Sequence, residues 1–204
     1  MKKLLIFLFL GAGFFLSAQE VGSFTDDRDG NVYSFVSYSI DVVDGSKSEI
    51  IWMSENLRYN IEKSRCYNNS ESNCDDYGRQ YIYSEAIKAC PKGWHLPSDE
   101  EWYVLANIYG GISSAGEHLK NKSSLWKNGA GTNKSLFNAN PNQPLKEHKF
   151  KNMPPPQPTA IFWSSTEKNS DYAWDWKLVS IWNKIQRWEG AKTEYNCVRC
   201  VKDN

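Results

Sequence analysis

CPKGWHLPSDEEW, residues 90–102, is the clearest structural signal in the chain. Ser98 and Glu101 have the spacing of a capping box, in which the serine hydroxyl accepts a hydrogen bond from the Glu101 N–H and the glutamate accepts one from the Ser98 N–H. Three consecutive acids, beginning at Asp99, suit the positive end of a helix dipole. The stretch therefore predicts a helix that begins after Ser98 and follows an extended, proline-containing segment.

The predicted helix has one apolar face. Apolar residues recur at helical spacing at Trp102, Leu105, Ala106 and Tyr109. His95 lies just before the helix as a lone histidine without a matching base or nucleophile, and the acids already serve the helix start. We therefore interpret residues 90–102 as a structural corner, anchored in the core by Trp94 and Trp102, and we predict no catalytic residues.

Short strands, short helices and polar loops account for most of the remaining chain. Asp29-Gly30 is a hairpin signal between two strand-like runs within residues 24–43. Short helices are expected at 84–90 and 115–121. The C-terminal part is rich in strand-like runs, at 161–166, 172–179, 185–190 and 194–202. The pattern predicts an α+β domain with short helices, a small antiparallel sheet and long irregular loops.

The N-terminus has the features of a secretory signal peptide. Two lysines precede an apolar run that ends in small residues near position 18, so residues 1–19 are expected to be removed on export. Residues 20–204 are then long enough for one domain. No later stretch approaches about twenty apolar residues, so we expect no transmembrane segment in the mature chain. The predicted location is extracellular or on the cell surface, with the periplasm as an alternative.

Charge and composition exclude some partners. The chain has 24 basic and 24 acidic residues, and removal of Lys2 and Lys3 with the signal peptide leaves 22 against 24, a net charge of −2. This balance does not indicate nucleic acid or an anionic membrane surface as a partner. Nine tryptophans are enough for a substantial core or for a surface on which sugars stack.

Five cysteines are expected to form disulfides in an exported protein. Cys66 and Cys74 flank a short polar loop and form one candidate pair. Cys197 and Cys200 cannot bond locally within a strand, because they would lie about 10 Å apart on opposite faces, whereas a disulfide needs Cα atoms within about 7 Å. We therefore pair Cys90 with Cys200 and predict that Cys197 is a free thiol.

Several blocks, taken in order along the chain, resemble the Fibrobacter succinogenes major paralogous domain family. They are FTDDRDGNVY, IWMSENLRY, CYNNSESNCDDYGRQYIYSEAIKACPKGWHLPSDEEW, FWSSTE and CVRCVKD. The family occurs in exported proteins of Fibrobacter and Bacteroidetes-type bacteria. It is similar to C-type lectin-like folds and more distantly to the formylglycine-generating enzyme fold. The resemblance implies a C-type lectin-like α+β domain over residues 20–204, with a terminal strand tied back by a disulfide.

The candidate ligand-binding surface consists of tryptophans. Within residues 172–179 aromatic side chains alternate with small or charged ones, as on one face of a strand. Such a face commonly belongs to a core, and the alternative is a platform for flat, apolar sugar faces. The resemblance adds the irregular segment 126–160, where C-type lectin-like domains commonly bind. The candidate ligand-binding residues are Trp126, Trp174, Trp176, Trp182 and Trp188.

These features favour a secreted or cell-surface, non-enzymatic binding module for extracellular polysaccharide or glycan. One alternative is a structural or protein-interaction domain on the cell surface without a small ligand. A minor alternative is a formylglycine-generating-enzyme-like oxidase that uses Cys197 and Cys200.

No cofactor or metal is predicted, although calcium stays open as an alternative. Asp27 and Asp29 fit two positions of an EF-hand loop, but Thr25 and Val36 occupy its first and last ligand positions. The calcium-lectin pattern is also incomplete, because Lys184 stands where a carboxylate would be expected.

Overall fold

The computed structural model describes residues 19–41, 45–129, 131–144 and 157–203. The predicted signal peptide lies outside the described residues except for its last position, Gln19. Residues 145–156 of the irregular segment 126–160 also lie outside them.

Short strands and helices alternate along the described chain. The strands are β1 (Glu20–Thr25), β2 (Val32–Asp41), β3 (Lys47–Met53), β4 (Ser64–Cys66), β5 (Arg79–Tyr81), β6 (Trp94–His95), β7 (Gln143–Pro144), β8 (Pro158–Glu167), β9 (Tyr172–Val179), β10 (Ile185–Ala191), β11 (Asn196–Cys197) and β12 (Val201–Lys202). The helices are α1 (Ser72–Tyr77), α2 (Tyr83–Ala89), α3 (Asp99–Ile108) and α4 (Ala115–Leu119), with 3-10 segments at Tyr67–Asn69 and Ser124–Gly129. Within these ranges no helix has the length and apolar character needed to cross a bilayer. The α+β prediction is confirmed.

The strands form two sheets instead of the one small antiparallel sheet that the sequence predicts. The first sheet has the order β1-β2-β3-β12-β6, and its pairs are antiparallel. The second has the order β10-β9-β8-β11-β5-β4, with β7 beside β8, and is mixed because β11 runs parallel to β8. The hairpin predicted at Asp29-Gly30 is confirmed, since β1 and β2 pair antiparallel on either side of it.

Helix α3 begins as the capping box predicts. Ser98 Oγ accepts a hydrogen bond from Glu101 N at 3.3 Å, and Glu101 Oε2 accepts one from Ser98 N at 2.7 Å. The apolar face of α3 buries Trp102, whose ring centroid lies 4.7 Å from that of Trp52 in the first sheet and 5.8 Å from that of Trp176 in the second. Helix α3 therefore joins both sheets into one aromatic core.

The predicted strand at 194–202 is wrong as a continuous strand. It is divided into β11, which pairs in the second sheet, and β12, which pairs in the first. Between them the carbonyl groups of Val198 and Cys200 accept hydrogen bonds from the N–H groups of Leu57 and Met53, at 2.9 Å and 3.0 Å. These two hydrogen bonds hold residues 198–200 between the sheets, so no single ladder runs through residues 194–202.

Arg199, at the centre of this crossing, has a buried guanidinium group. Its Nε donates to Asn56 Oδ1 at 2.6 Å, and its terminal nitrogens donate to the carbonyl groups of Phe137 and Asn138. The guanidinium carbon also lies 4.4 Å from the centre of the Phe137 ring. Burial lowers the pKa of Arg199 to about 10, so the group stays cationic at neutral pH. Arg199 thus ties the segment around Phe137 to the C-terminus.

Both predicted disulfides are present. Cys66 is bonded to Cys74, eight residues away, and Cys90 is bonded to Cys200, 110 residues away. The second bond ties the end of α2 to the C-terminal crossing. Cys197 is a free thiol, as the sequence predicts, and it is buried.

Candidate functional site

Two of the five candidate tryptophans are in the core. Trp126 and Trp176 are fully buried, and their indole N–H groups donate to Asn121 Oδ1 and Asp99 Oδ1, each at 2.9 Å. Because both rings are enclosed and both polar atoms are satisfied internally, neither side chain can stack on a ligand at the surface. Their assignment to the ligand-binding surface is therefore wrong.

Two other candidates, Trp174 and Trp188, line an open concavity of 630 Å³ beside the β9–β10 hairpin. The lining residues are Tyr172, Trp174, Gln186, Arg187, Trp188 and Glu189. The fifth candidate, Trp182, is half-buried in the turn between β9 and β10 and does not line the concavity. The structure thus brings together two of the five predicted residues.

The strand register places the two lining tryptophans on opposite faces of the hairpin. Trp174 pairs with Glu189, whereas Trp188 pairs with Asp175, one residue further along each strand. Directly paired residues share a face and successive residues alternate. The concavity consequently wraps around the outer edge of β10, and the two indoles do not form one flat platform.

The aromatic face of β9 passes from solvent into the core along its length. Tyr172 is 41% exposed and Trp174 is half-buried, whereas Trp176 is covered by α3. Tyr103 of that helix lies edge-on to Trp176, with ring centroids 5.0 Å apart. The predicted alternation is correct, but only the first half of the face can meet a ligand.

Two ion pairs surround the exposed indole. The guanidinium carbon of Arg187 lies 3.2 Å from the centre of the Trp174 ring, and Arg187 Nε donates to Asp99 Oδ2 at 2.5 Å. Lys168 donates to Glu189 and lies 5.6 Å from the same ring centre. Each cation is matched by a carboxylate, so this side of the concavity offers hydrogen-bonding groups around an aromatic ring without a net charge.

Polar side chains also occupy the other face, around Trp188. The amino group of Lys177 lies 3.3 Å from Asp175 Oδ1 and 5.5 Å from the centre of the Trp188 ring. Gln186 Oε1 is buried and has no hydrogen-bond partner among the described residues. Gly190 is required here, because a Cβ at this position would lie 2.7 Å from the Trp163 ring. The unsatisfied acceptor of Gln186 therefore lies beneath the accessible surface of the concavity, next to an aromatic ring.

The cysteines do not provide a thiolate pair. Cys200 is in a disulfide, and the Cys197 sulfur lies in the core, where it accepts a hydrogen bond from Asn142 Nδ2 at 2.9 Å. Burial raises the pKa of Cys197 to about 12. These contacts speak against the oxidase alternative, which requires two thiolates that converge on one metal.

One group in the described part of the chain has metal-ligand geometry. It consists of Cys66, Glu71 and Cys74. Both sulfurs are joined to each other, so they are not available as thiolate ligands. In the β1–β2 turn, Asp29 accepts hydrogen bonds from the backbone and side chain of Asn31, at 3.0 Å and 2.7 Å, which is the geometry expected of a turn residue.

His95 lies between two carboxylates at the start of α3. Its Nδ1 is 2.7 Å from Asp203 Oδ1 and its Nε2 is 2.8 Å from Glu101 Oε1. Burial alone would lower its pKa, but the hydrogen bonds to the two carboxylates outweigh burial and raise the pKa above the usual value. The histidine thus connects the capping box to the C-terminal residues, outside the concavity.

The chain belongs to the Fibrobacter succinogenes major domain family, whose model matches residues 48–202. The matched region begins within β3 and includes α3, both disulfides and all residues that line the concavity. No curated protein and no solved structure matches the chain.

Proposed function

We propose that the protein is an exported, non-enzymatic binding module that holds a polysaccharide or glycan in the concavity around β10. The observation that carries this proposal is the half-exposed indole of Trp174 within a ring of hydrogen-bonding side chains. A pyranose has an apolar C–H face that can stack on an indole and hydroxyl groups that both donate and accept hydrogen bonds. Tyr172, Gln186 and Glu189 supply matching polar groups at the rim.

The orientation of the ligand follows from the position of Arg187. Its guanidinium group covers one face of the Trp174 ring, so a sugar stacks on the opposite face or edge. Because Arg187 and Lys168 are paired with carboxylates, a neutral sugar fits without leaving a charge unmatched.

The fold that we propose for this module is C-type lectin-like. Three features support it: two sheets that share an aromatic core, a disulfide that ties the C-terminus back across 110 residues, and long irregular segments. Calcium is an alternative that this proposal does not require. The concavity uses indole, amide and guanidinium groups, and Glu189 is the one carboxylate among its lining residues.

A glycan-binding panel on the purified protein tests the function. It contains cellulose, xylan, host-type glycans and glycosaminoglycans, each measured with and without EDTA. Trp174→Ala should weaken binding at least about tenfold, which corresponds to the loss of about 1.4 kcal/mol. Trp182→Ala is the matched control, because it also removes a half-buried indole but outside the concavity, and it should bind like the wild type. No binding of the wild type to any glycan would overturn the proposal and favour a protein-interaction role.

A further inference from the structure

Strand β10 is the terminal strand of the second sheet, and among the described residues no strand pairs with its outer edge. The Ile185 N–H donates to Ile112 O, which lies outside the sheet ladder, whereas the Lys192 N–H donates to Asp171 O, at the start of β9. Odd-numbered residues of β10 therefore direct their backbone polar groups away from β9. Among the described residues, the outward N–H groups of Arg187 and Glu189 have no hydrogen bond.

The sequence of this edge is self-complementary. In an antiparallel pair centred on Trp188, Arg187 of one copy lies opposite Glu189 of the second copy, and the two-fold axis repeats this pair. Arg187 and Glu189 are also the residues with outward backbone groups, so each pair exchanges two backbone hydrogen bonds. Their side chains share the Trp174 face, where opposite charges meet across the two strands.

The central residue of the same register is apolar. Trp188 of one copy faces Trp188 of the second copy at a non-hydrogen-bonded position, where cross-strand side chains come closest. Trp188 is half-buried in the single chain, so this contact would remove further indole surface from water. On either side, Gln186 of one copy meets Gly190 of the other. A shift of the register by one residue would separate the Arg187–Glu189 charge pairs. It would also place the outward backbone groups of one copy opposite residues of the other copy whose backbone groups point toward β9.

We propose that β10 pairs antiparallel with β10 of a second copy of this chain, in the register centred on Trp188, and so forms a two-fold symmetric dimer with a continuous sheet. The contact fills the part of the concavity around Trp188 and leaves both Trp174 rings on one side of the joined sheet. Two ligand sites on one face would bind a repetitive polymer bivalently. The dimer itself does not depend on glycan binding.

Sedimentation equilibrium of the full protein over a wide concentration range tests this contact. The wild type should dimerise, and Glu189→Pro should be monomeric, because proline removes an outward N–H and leaves the β9 ladder intact. An unchanged midpoint of thermal unfolding for Glu189→Pro at a concentration where the wild type is monomeric would show that its fold is intact. A wild type that stays monomeric throughout, or a Glu189→Pro variant that still dimerises, would overturn the proposal.

A cross-linking experiment tests the register independently. Trp188→Cys should form a disulfide-linked dimer under mild oxidation, because the two substituted positions face each other across the two-fold axis. Gln186→Cys is the control and should stay monomeric on a non-reducing gel, because its counterpart in the second copy lies further away. Equal cross-linking of both variants would contradict the register. Trp174→Ala should leave the dimer unchanged, so a failure of the glycan proposal is distinguishable from a failure of this one.

Discussion

Arg187 lies over the Trp174 ring, with the guanidinium carbon 3.2 Å from the ring centre, and Asp99 keeps it there by accepting a hydrogen bond from its Nε. The second oxygen of Asp99 accepts the indole N–H of the buried Trp176. The first residue of α3 therefore connects the core to the rim of the concavity. The helix start that the sequence predicts most clearly is also the support of the candidate site.

Replacement of Asp99 by asparagine should destabilise the fold. The substituted side chain could still accept the Trp176 N–H through its amide oxygen, but Arg187 would lose its charge partner while its side chain is only 28% exposed. We expect a decrease of about 1–2 kcal/mol in the free energy of unfolding, measured by urea denaturation. Glu100→Gln is the matched control, because it removes an exposed acid in the same helical turn and should change stability by less than about 0.5 kcal/mol.

The same variant should also affect the candidate site. Without Asp99 as its partner, the Arg187 side chain would no longer cover one face of the Trp174 ring. Glycan affinity should therefore change in Asp99→Asn but not in Glu100→Gln. Equal stability and equal affinity of the two variants would show that Asp99 does not position Arg187.

The two disulfides should contribute unequally to stability. In the chain-entropy model the Cys66–Cys74 bond, with a separation of 8 residues, is worth about 2.5 kcal/mol, and the Cys90–Cys200 bond, with a separation of 110, about 5 kcal/mol. Urea denaturation of the two double alanine variants should show the larger loss for the Cys90–Cys200 pair. A larger loss for the shorter loop would mean that native contacts around that loop, and not chain entropy, dominate.

The features that are predictable from sequence are those set by neighbouring residues. Capping at Ser98 depends on a residue three positions away, and the hairpin at Asp29-Gly30 depends on the turn itself. The Cys90–Cys200 pair is confirmed, although the continuous strand on which its prediction rests is divided in the structure. For the cap and the hairpin the deciding physics acts over a few residues, so a single sequence contains it.

The parts that the sequence does not reveal depend on distant segments. Trp174 and Trp176 lie on the same face of β9. Only the position of α3 decides that the first is half-exposed and the second is buried. The C-terminal crossing is bonded by segments far away in sequence: Leu57 and Met53 donate to its carbonyl groups, and Asn56 and Phe137 accept from Arg199. The local pattern assigns Asp99 to the helix dipole and carries no signal for its bond to a residue 88 positions away.

Lys120 should make stability rise with pH in the alkaline range. Its amino group is buried and donates to the carbonyl groups of Ser180 and Trp182, at 3.1 Å and 3.0 Å, and burial lowers its pKa from 10.5 to about 8. Between these two values the unfolded chain holds the proton and the folded chain does not, so folding is favoured as pH rises. The free energy of unfolding of the wild type minus that of Lys120→Met should therefore increase from about pH 8 toward 10.5 and stay flat below about 8.

Urea denaturation of the wild type and Lys120→Met at a series of pH values checks this difference. Subtraction removes the groups that titrate in both proteins, such as exposed tyrosines and lysines. A difference that falls as pH rises would show that the Lys120 amino group is held as a cation in the fold.

His95 should have the opposite dependence near neutral pH. It is hydrogen-bonded to Glu101 and Asp203, which raise its pKa above 6.5 against the effect of burial. A raised pKa in the folded state means that the charged histidine stabilises the fold fully below about pH 6.5 and that this contribution is lost as pH rises through the folded-state value. The difference in unfolding free energy between the wild type and His95→Gln should therefore be largest in mild acid and decline toward alkaline pH.

The partner carboxylate supplies the control for this prediction. Asp203→Asn removes one of the two negative charges that face His95 and leaves Glu101, so its pH dependence should be weaker than that of the wild type but still present. This comparison separates the charge of His95 from the loss of its packing, because packing does not change with pH. A difference between wild type and His95→Gln that is constant with pH, or that grows as pH rises, would mean that His95 is neutral in the folded protein and only a packing residue of the corner.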